Sequence, residues 1–221
     1  MLPSVKGKAG SLLVFILVFA LSRIPGMLSQ SFANFSAAYA LAFCAGVYFA
    51  GRTAWWIPLL AMFLTDVGLN MYYWLHLGIN VWEPQMLEYQ AFNYLAYIAI
   101  IWLGRRFKPQ SSFVALLGGG LLGALLFYFI TNTASWLFNP FQNPEYTKTF
   151  AGWLTALIKG THGWPETWQF FRNTLLSGGL FTGLFVAAMK AAEAAESAQE
   201  KQAPEPAEEP AGETEPEEAK A

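Results

Sequence analysis

The chain has 221 residues, of which 55% are hydrophobic, 17% aromatic and 13% charged, against the roughly 25% charge of an ordinary soluble domain, and this excludes most soluble folds. Its formal charge of -2 averages two unlike parts: residues 1–190 hold eleven Lys/Arg and five Asp/Glu, whereas residues 191–221 hold two Lys and ten Glu. A single cysteine, Cys44, excludes an intrachain disulfide and the framework of a small secreted domain.

Apolar runs of about 17–25 residues read as membrane spans, because a helix rising 1.5 Å per residue must cross about 30 Å of hydrocarbon. The sequence predicts such spans at 9–28, 34–51, 54–75, 89–104, 111–138 and 167–190. The expected architecture is therefore all-α: a membrane bundle of about six helices over 1–190, then an Ala/Glu/Pro-rich tail over 191–221 with too little apolar surface to order beyond a short helical extension. Lys6 and Lys8 ahead of the short apolar stretch 12–21 also fit a secretory signal peptide, whose removal leaves five spans; apolar residues resuming at Ile24 and the lack of a small-x-small site favour retention.

Lys and Arg concentrate on cytoplasmic loops. With the N-terminus inside, Lys6, Lys8, Arg52, Arg105, Arg106, Lys108 and Lys190 collect on one side, and Arg23, Lys148, Lys159 and Arg172 on the other. Seven against four places both termini in the cytoplasm. The long connections, 76–88 and 139–166, are then outer ones. Within the second, residues 150–158 are apolar enough to lie in the interface or dip back into the protein.

Helical spacing of i, i+4, i+7, i+8 gathers polar residues onto common faces. Span three carries Asp66, Asn70, Tyr73 and Trp74; span four, Tyr89, Asn93 and Tyr97; span five, Tyr128, Asn132, Ser135 and Trp136; span six, Gln169, Asn173 and Ser177 with Arg172 beside them; span two opens with Asn34. All fall towards the outer side, where polar groups facing lipid are costly and turn inwards. Asn34, Asp66, Asn70, Asn93, Asn132, Trp136, Arg172 and Asn173 are therefore expected to line one outward-facing cavity for a small polar solute. The competing reading of Asp66 is a structural ion pair with Arg23 or Arg172, or a hydrogen bond to a neighbouring Asn, and that of the aromatic residues is an interfacial belt. The inner halves are rich in small residues, above all the ladder Ala38, Ala42, Gly46 and Ala50, which serves packing within the bundle or docking to a partner helix.

Motifs for chemistry are lacking. There is no His-Glu-x-x-His, Gly-x-Ser-x-Gly or Gly-x-x-x-x-Gly-Lys-Ser/Thr sequence, and His76 and His162 fall in outer loops. Ser177 before Gly178-Gly179 has no histidine near it in sequence, so an intramembrane enzyme using Ser177 or Asp66 stays a minor alternative to a non-enzymatic protein. No Cys/His cluster calls for a metal, no cofactor is implied, and the basic inner loops are accounted for by topology rather than nucleic acid. Active uptake would require an ATPase partner or an ion gradient.

Arg23-Ile24-Pro25, Ala33-Asn34-Phe35-Ser36-Ala37, Ala45-Gly46-Val47-Tyr48-Phe49, Leu64-Thr65-Asp66, Thr131-Asn132 with Trp136, Tyr146-Thr147-Lys148-Thr149 and Phe170-Phe171-Arg172-Asn173-Thr174 together resemble an uncharacterised family of bacterial membrane proteins described as candidate transport proteins. The resemblance covers roughly residues 20–190 and departs from the family's pattern at Gly178 and in the long 139–166 segment. More loosely, six spans with an outward polar bowl are similar to the substrate-binding components of energy-coupling-factor vitamin transporters. That resemblance implies a transmembrane partner docked on an Ala-x-x-x-Ala helix, to which Ala38/Ala42/Gly46 is similar. The combined expectation is a solute-binding membrane protein or transporter subunit, with a ligand-free structural subunit as the main alternative.

Overall fold

A computed structural model describes residues 16–202, with side chains to 198. Among the described residues the fold is all-helical: α1 (Ile24–Leu28), α2 (Ala38–Tyr48), α3 (Thr53–Leu77), α4 (Pro84–Gly104), α5 (Phe113–Phe138), α6 (Phe150–Ile158) and α7 (Thr167–Gln202), with a 3-10 turn at Gln30–Phe32. The chain divides into two units, residues 1–188, which hold the bundle, and 189–221. Helix α7 continues through the expected short extension; the rest of the tail, and the start of the first span with its signal-peptide alternative, lie outside the described residues.

Three helices are long and apolar enough to cross a membrane: α3, α5 and the Thr167–Ala198 part of α7. Their outer surfaces are apolar, with Leu60, Phe63 and Leu64 exposed on α3, and Leu122, Leu125 and Phe129 on α5. The first two expected spans take a shorter form, as the apolar stretches Ile16–Leu28 and Ala38–Tyr48. A turn at Arg23 interrupts the first; Pro25, in the first turn of α1, has no N–H to continue the ladder of the preceding helix. Helix α4 is long, but Glu88, Gln90 and Asn93 dilute its apolar character.

At the centre of the bundle lies α2, with ten of its eleven residues buried, flanked by α3, α4 and α5. Small residues permit this enclosure. A side chain on Gly46 would run into the end of α4, and one on Gly119 into the Phe43 and Phe107 rings. Ala38, Ala42 and Gly46 are thus buried by the chain itself. Ala50 is not on the ladder: α2 ends at Tyr48, and Ala50 is exposed in the turn that follows.

The segment 139–166 after α5 folds back as a built element. Asn139 ends α5 in the left-handed conformation (φ 45°), and its side chain brackets Asn143, accepting from its N–H at 2.8 Å and donating to its carbonyl at 2.9 Å. Lys148 Nζ donates to the Trp136 and Leu137 carbonyls at the end of α5, where cations are favoured. Thr149 caps α6 by accepting from the Gly152 N–H at 3.1 Å. Helix α6 is then pinned to α5 by Trp153 Nε1 donating to Thr133 Oγ1 at 3.0 Å and by the Tyr128 hydroxyl donating to the Leu157 carbonyl.

Candidate functional site

Helices α3 and α4 face each other across a polar seam. The Tyr94 hydroxyl donates to Asp66 Oδ2 at 2.8 Å, and Gln90 Nε2 donates to Asn70 Oδ1 at 3.0 Å. One turn along α3 matches one turn back along α4, so the two bonds are successive rungs of an antiparallel pair. Asn70 is buried, and Asp66, Gln90 and Tyr94 are half-buried.

Arg23 closes the seam. From the turn that breaks the first apolar stretch, its Nη1 donates to Asp66 Oδ1 and, at 3.1 Å, to Thr65 Oγ1. The guanidinium carbon lies 5.7 Å from the centre of the Phe19 ring, within cation–π range. This is the one ion pair among the described residues, and neither partner is sealed off, with the Arg23 and Asp66 side chains 22% and 15% exposed. An aromatic wall stands behind it: Tyr97 lies 6.1 Å from Tyr94, edge to face, and stacks at 5.2 Å on Phe127, which also meets Tyr39 at 4.7 Å.

Residues 29–37, between α1 and α2, are not α-helical, and an irregular segment among apolar helices needs partners for its carbonyls and amides. Side chains from elsewhere supply them. Asn173 of α7, only 5% exposed, donates to the Ser31 and Ala33 carbonyls at 2.8 and 2.9 Å. The Tyr39 hydroxyl donates to the Asn34 carbonyl at 2.9 Å, and the Ala37 N–H donates to Ser22 Oγ at 2.8 Å. Asn34 itself is left-handed, at φ 64°, a conformation that Asn tolerates better than most residues.

Of the eight residues expected around one cavity, the structure brings Asp66 and Asn70 into the α3–α4 seam and Asn34 and Asn173 to the irregular segment. The others lie elsewhere. Asn132 donates to the Tyr128 carbonyl of its own helix at 2.8 Å, and Trp136 Nε1 donates to the Thr147 carbonyl at 2.7 Å in the segment after α5. Arg172 is exposed and reaches Asn173 Oδ1 at 3.4 Å rather than Asp66. Asn93 lies one residue off the working face of α4, which is Gln90/Tyr94. Two open grooves flank the first apolar stretch, of about 380 Å³ (Ile24, Pro25, Leu28, Ser29, Phe32, Phe35) and 310 Å³ (Ile16, Ile57, Leu60, Ala61, Leu64, Thr65). Both are apolar, and none of the eight residues lines either. Ser177 is buried, with its hydroxyl donating to the Asn173 carbonyl at 2.8 Å.

Sequence reasoning missed Gln90, Tyr94 and Tyr39. The first two were readable: Gln90, Tyr94 and Tyr97, at i, i+4, i+7, share a helix face as well as Tyr89, Asn93 and Tyr97, at i, i+4, i+8, do.

The fold and site define an all-helical protein with membrane-length apolar helices and a charged, hydroxyl-lined seam between them. The chain belongs to DUF6580, a family of unknown function whose model matches residues 4–202. No curated protein and no solved structure matches it.

Proposed function

We propose that this is a multi-pass protein of the bacterial inner membrane that binds a small polar solute from the outer side and takes part in its transport. The observation carrying this reading is the Arg23–Asp66 pair. Opposite charges from two elements meet on a broken helix, partly exposed, within a seam of Thr65, Tyr94, Gln90 and Asn70. Charges among apolar helices are costly and mark pathways or binding sites by default, and interrupted helices with unwound backbone are a recurring way to build a solute site. In the ligand-free protein the two charges neutralise each other. A zwitterionic or similarly polar solute replaces that contact, offering an anion to Arg23 and a donor to Asp66. With no nucleotide-binding motif in the sequence, the energy comes from an ATPase partner or an ion gradient.

In this reading the first apolar stretch, α2 with residues 29–37, α3, α4, α5 and α7 make six crossings with both termini cytoplasmic. A Cys placed at 110 checks the orientation cleanly, because the one native cysteine, Cys44, is buried; labelling from outside intact cells contradicts it.

A structural subunit without ligand is the second reading, favoured by the fact that both Asp66 oxygens and the Asn173 amide already have partners within the chain. Native mass spectrometry of the detergent-purified protein separates the two. The transport reading expects a retained non-lipid solute that disappears in Asp66→Asn and Arg23→Gln. Wild-type protein free of solute, and not stabilised by any of a panel of amino acids, organic acids and nucleosides, supports the scaffold.

A further inference from the structure

We infer that the end of the bundle carrying Arg52, Arg105, Arg106 and Lys108 is a binding site for the phosphate headgroups of anionic phospholipids. The inference rests on the reading that α3 and α5 cross a bilayer, and it is independent of what the Arg23–Asp66 site holds.

The four cations come from two turns, one between α2 and α3 and one between α4 and α5. Tertiary structure makes them a single surface: Arg105 Nη1 reaches the Gly51 carbonyl at 3.5 Å, and Gly46 seats directly against Gly104 and the Arg105 N–H. All four are exposed, and none has an ion-pair partner among the described residues. The stretches 46–60 and 100–118 contain no Asp or Glu, so the two turns together carry a charge of +4.

Its surroundings match a headgroup layer. Trp102 and Trp56 are 53% and 69% exposed, amphipathic rings of the kind that settle at the membrane–water boundary. The Arg106 guanidinium lies over the Trp102 ring at 4.2 Å. The Arg106 side chain has no hydrogen-bond partner among the described residues, and a guanidinium so placed can offer two N–H groups to two oxygens of a phosphodiester, a fork that Arg provides and Lys does not. The first turn of α3, whose N-cap Arg52 makes no side-chain cap bond, belongs to the same end, and a helix N-terminus favours an anion. The positive-inside rule alone accounts for the side on which these charges lie, but it requires neither a stacked Arg nor two turns joined into one acid-free surface, and it implies no preference among lipids.

The test uses the full chain in a neutral detergent, offered equal amounts of phosphatidylglycerol and phosphatidylcholine with identical acyl chains, with retained lipid counted by native mass spectrometry. Phosphatidylglycerol should be retained at least roughly fivefold over phosphatidylcholine, and the preference should vanish in the Arg52→Gln/Arg105→Gln/Arg106→Gln/Lys108→Gln variant but persist in Lys159→Gln. Should the fourfold variant fail to fold, Trp102→Ala and Arg106→Gln alone are each expected to reduce the preference with an unchanged gel-filtration profile. Equal retention of both lipids, or a preference that survives these changes, overturns the proposal. Displacement of phosphatidylglycerol by millimolar inorganic phosphate overturns it in favour of a free-phosphate site. A chain that stays soluble without detergent and does not float with vesicles overturns the membrane reading together with the lipid site, whereas a chain that floats with vesicles but retains phosphatidylglycerol and phosphatidylcholine equally overturns the lipid site alone.

Discussion

Gly46 of α2 and Gly104 of α4 meet backbone to backbone. A methyl group on Gly46 would sit 3.0 Å from the Gly104 Cα and 3.1 Å from the Arg105 amide nitrogen, and would overlap the Ile101 carbonyl oxygen; one on Gly104 would overlap the Phe43 carbonyl in turn. Because the obstacles are main-chain atoms, neither helix can yield without moving as a whole. Gly46→Ala should therefore destabilise the protein by about 1–3 kcal/mol or more. Gly68→Ala, where an added Cβ meets nothing within 4 Å, should change stability by at most about 1 kcal/mol. Thermal unfolding of both variants in one detergent checks the contrast, and equal midpoints would refute the close crossing.

Asn173 holds residues 31 and 33 through a single amide nitrogen. Asn173→Ala leaves two carbonyls of an irregular segment without their donor, at about 1–3 kcal/mol, and Asn173→Asp should do no better, because a carboxylate cannot donate. The readout is local. Hydrogen exchange of residues 29–37 should rise in both variants, while the middle of α5 stays protected; exchange rising uniformly would mean that Asn173 supports the whole bundle instead.

Helices α3, α5 and α7 were legible in the sequence because each is a long apolar run, and length alone decides such helices. The form of the second span was not. The run 34–51 opens with the polar Asn34 and Ser36, and Ser36 Oγ accepts the Ala38 N–H at 3.1 Å, but these alone do not say that helix begins only at Ala38, since the turn before it is held by Asn173, a residue 142 and 140 positions away from its two acceptors. The seam was half legible for a similar reason. Asp66 and Asn70 stand out as polar residues in an apolar helix, but α4 offers two polar stripes one residue apart, and packing against α3 selects the one bearing Gln90 and Tyr94. The choice of Arg23 over Arg172 as the partner of Asp66 was likewise tertiary: Arg23 is delivered by a turn inside its helix, while Arg172 faces outwards.

In the segment between α5 and α7, Glu145 Oε1 accepts the main-chain N–H of His162 at 2.9 Å, and this hydrogen bond holds the carboxylate below its ordinary range. A depressed folded-state value contributes stability that is fully present above the unfolded value, near 4.3, and is lost as pH falls through the folded one. The advantage of wild type over Glu145→Gln should therefore be present at neutral pH and shrink between about pH 5 and pH 3. His162→Ala retains the main-chain donor and should keep this acid dependence. Thermal midpoints across that range decide it; a wild-type advantage that does not change with pH would exclude the carboxylate's role.

The Arg23–Asp66 contact separates the two functional readings most directly. Removing either charge strands the other in a mostly apolar setting, so Asp66→Asn and Arg23→Gln should each cost about 2 kcal/mol, less than a fully enclosed pair because both side chains keep some solvent access. The double variant has no stranded charge and should recover most of that loss, the difference being the coupling of the pair. Stability and ligand retention then part company. If the pair is a solute site, the double variant unfolds near the wild-type temperature yet carries no co-purified solute, since the groups that read the ligand's charges are gone. If the pair only ties the first apolar stretch to α3, wild type and double variant match in both measurements, and the seam is structural.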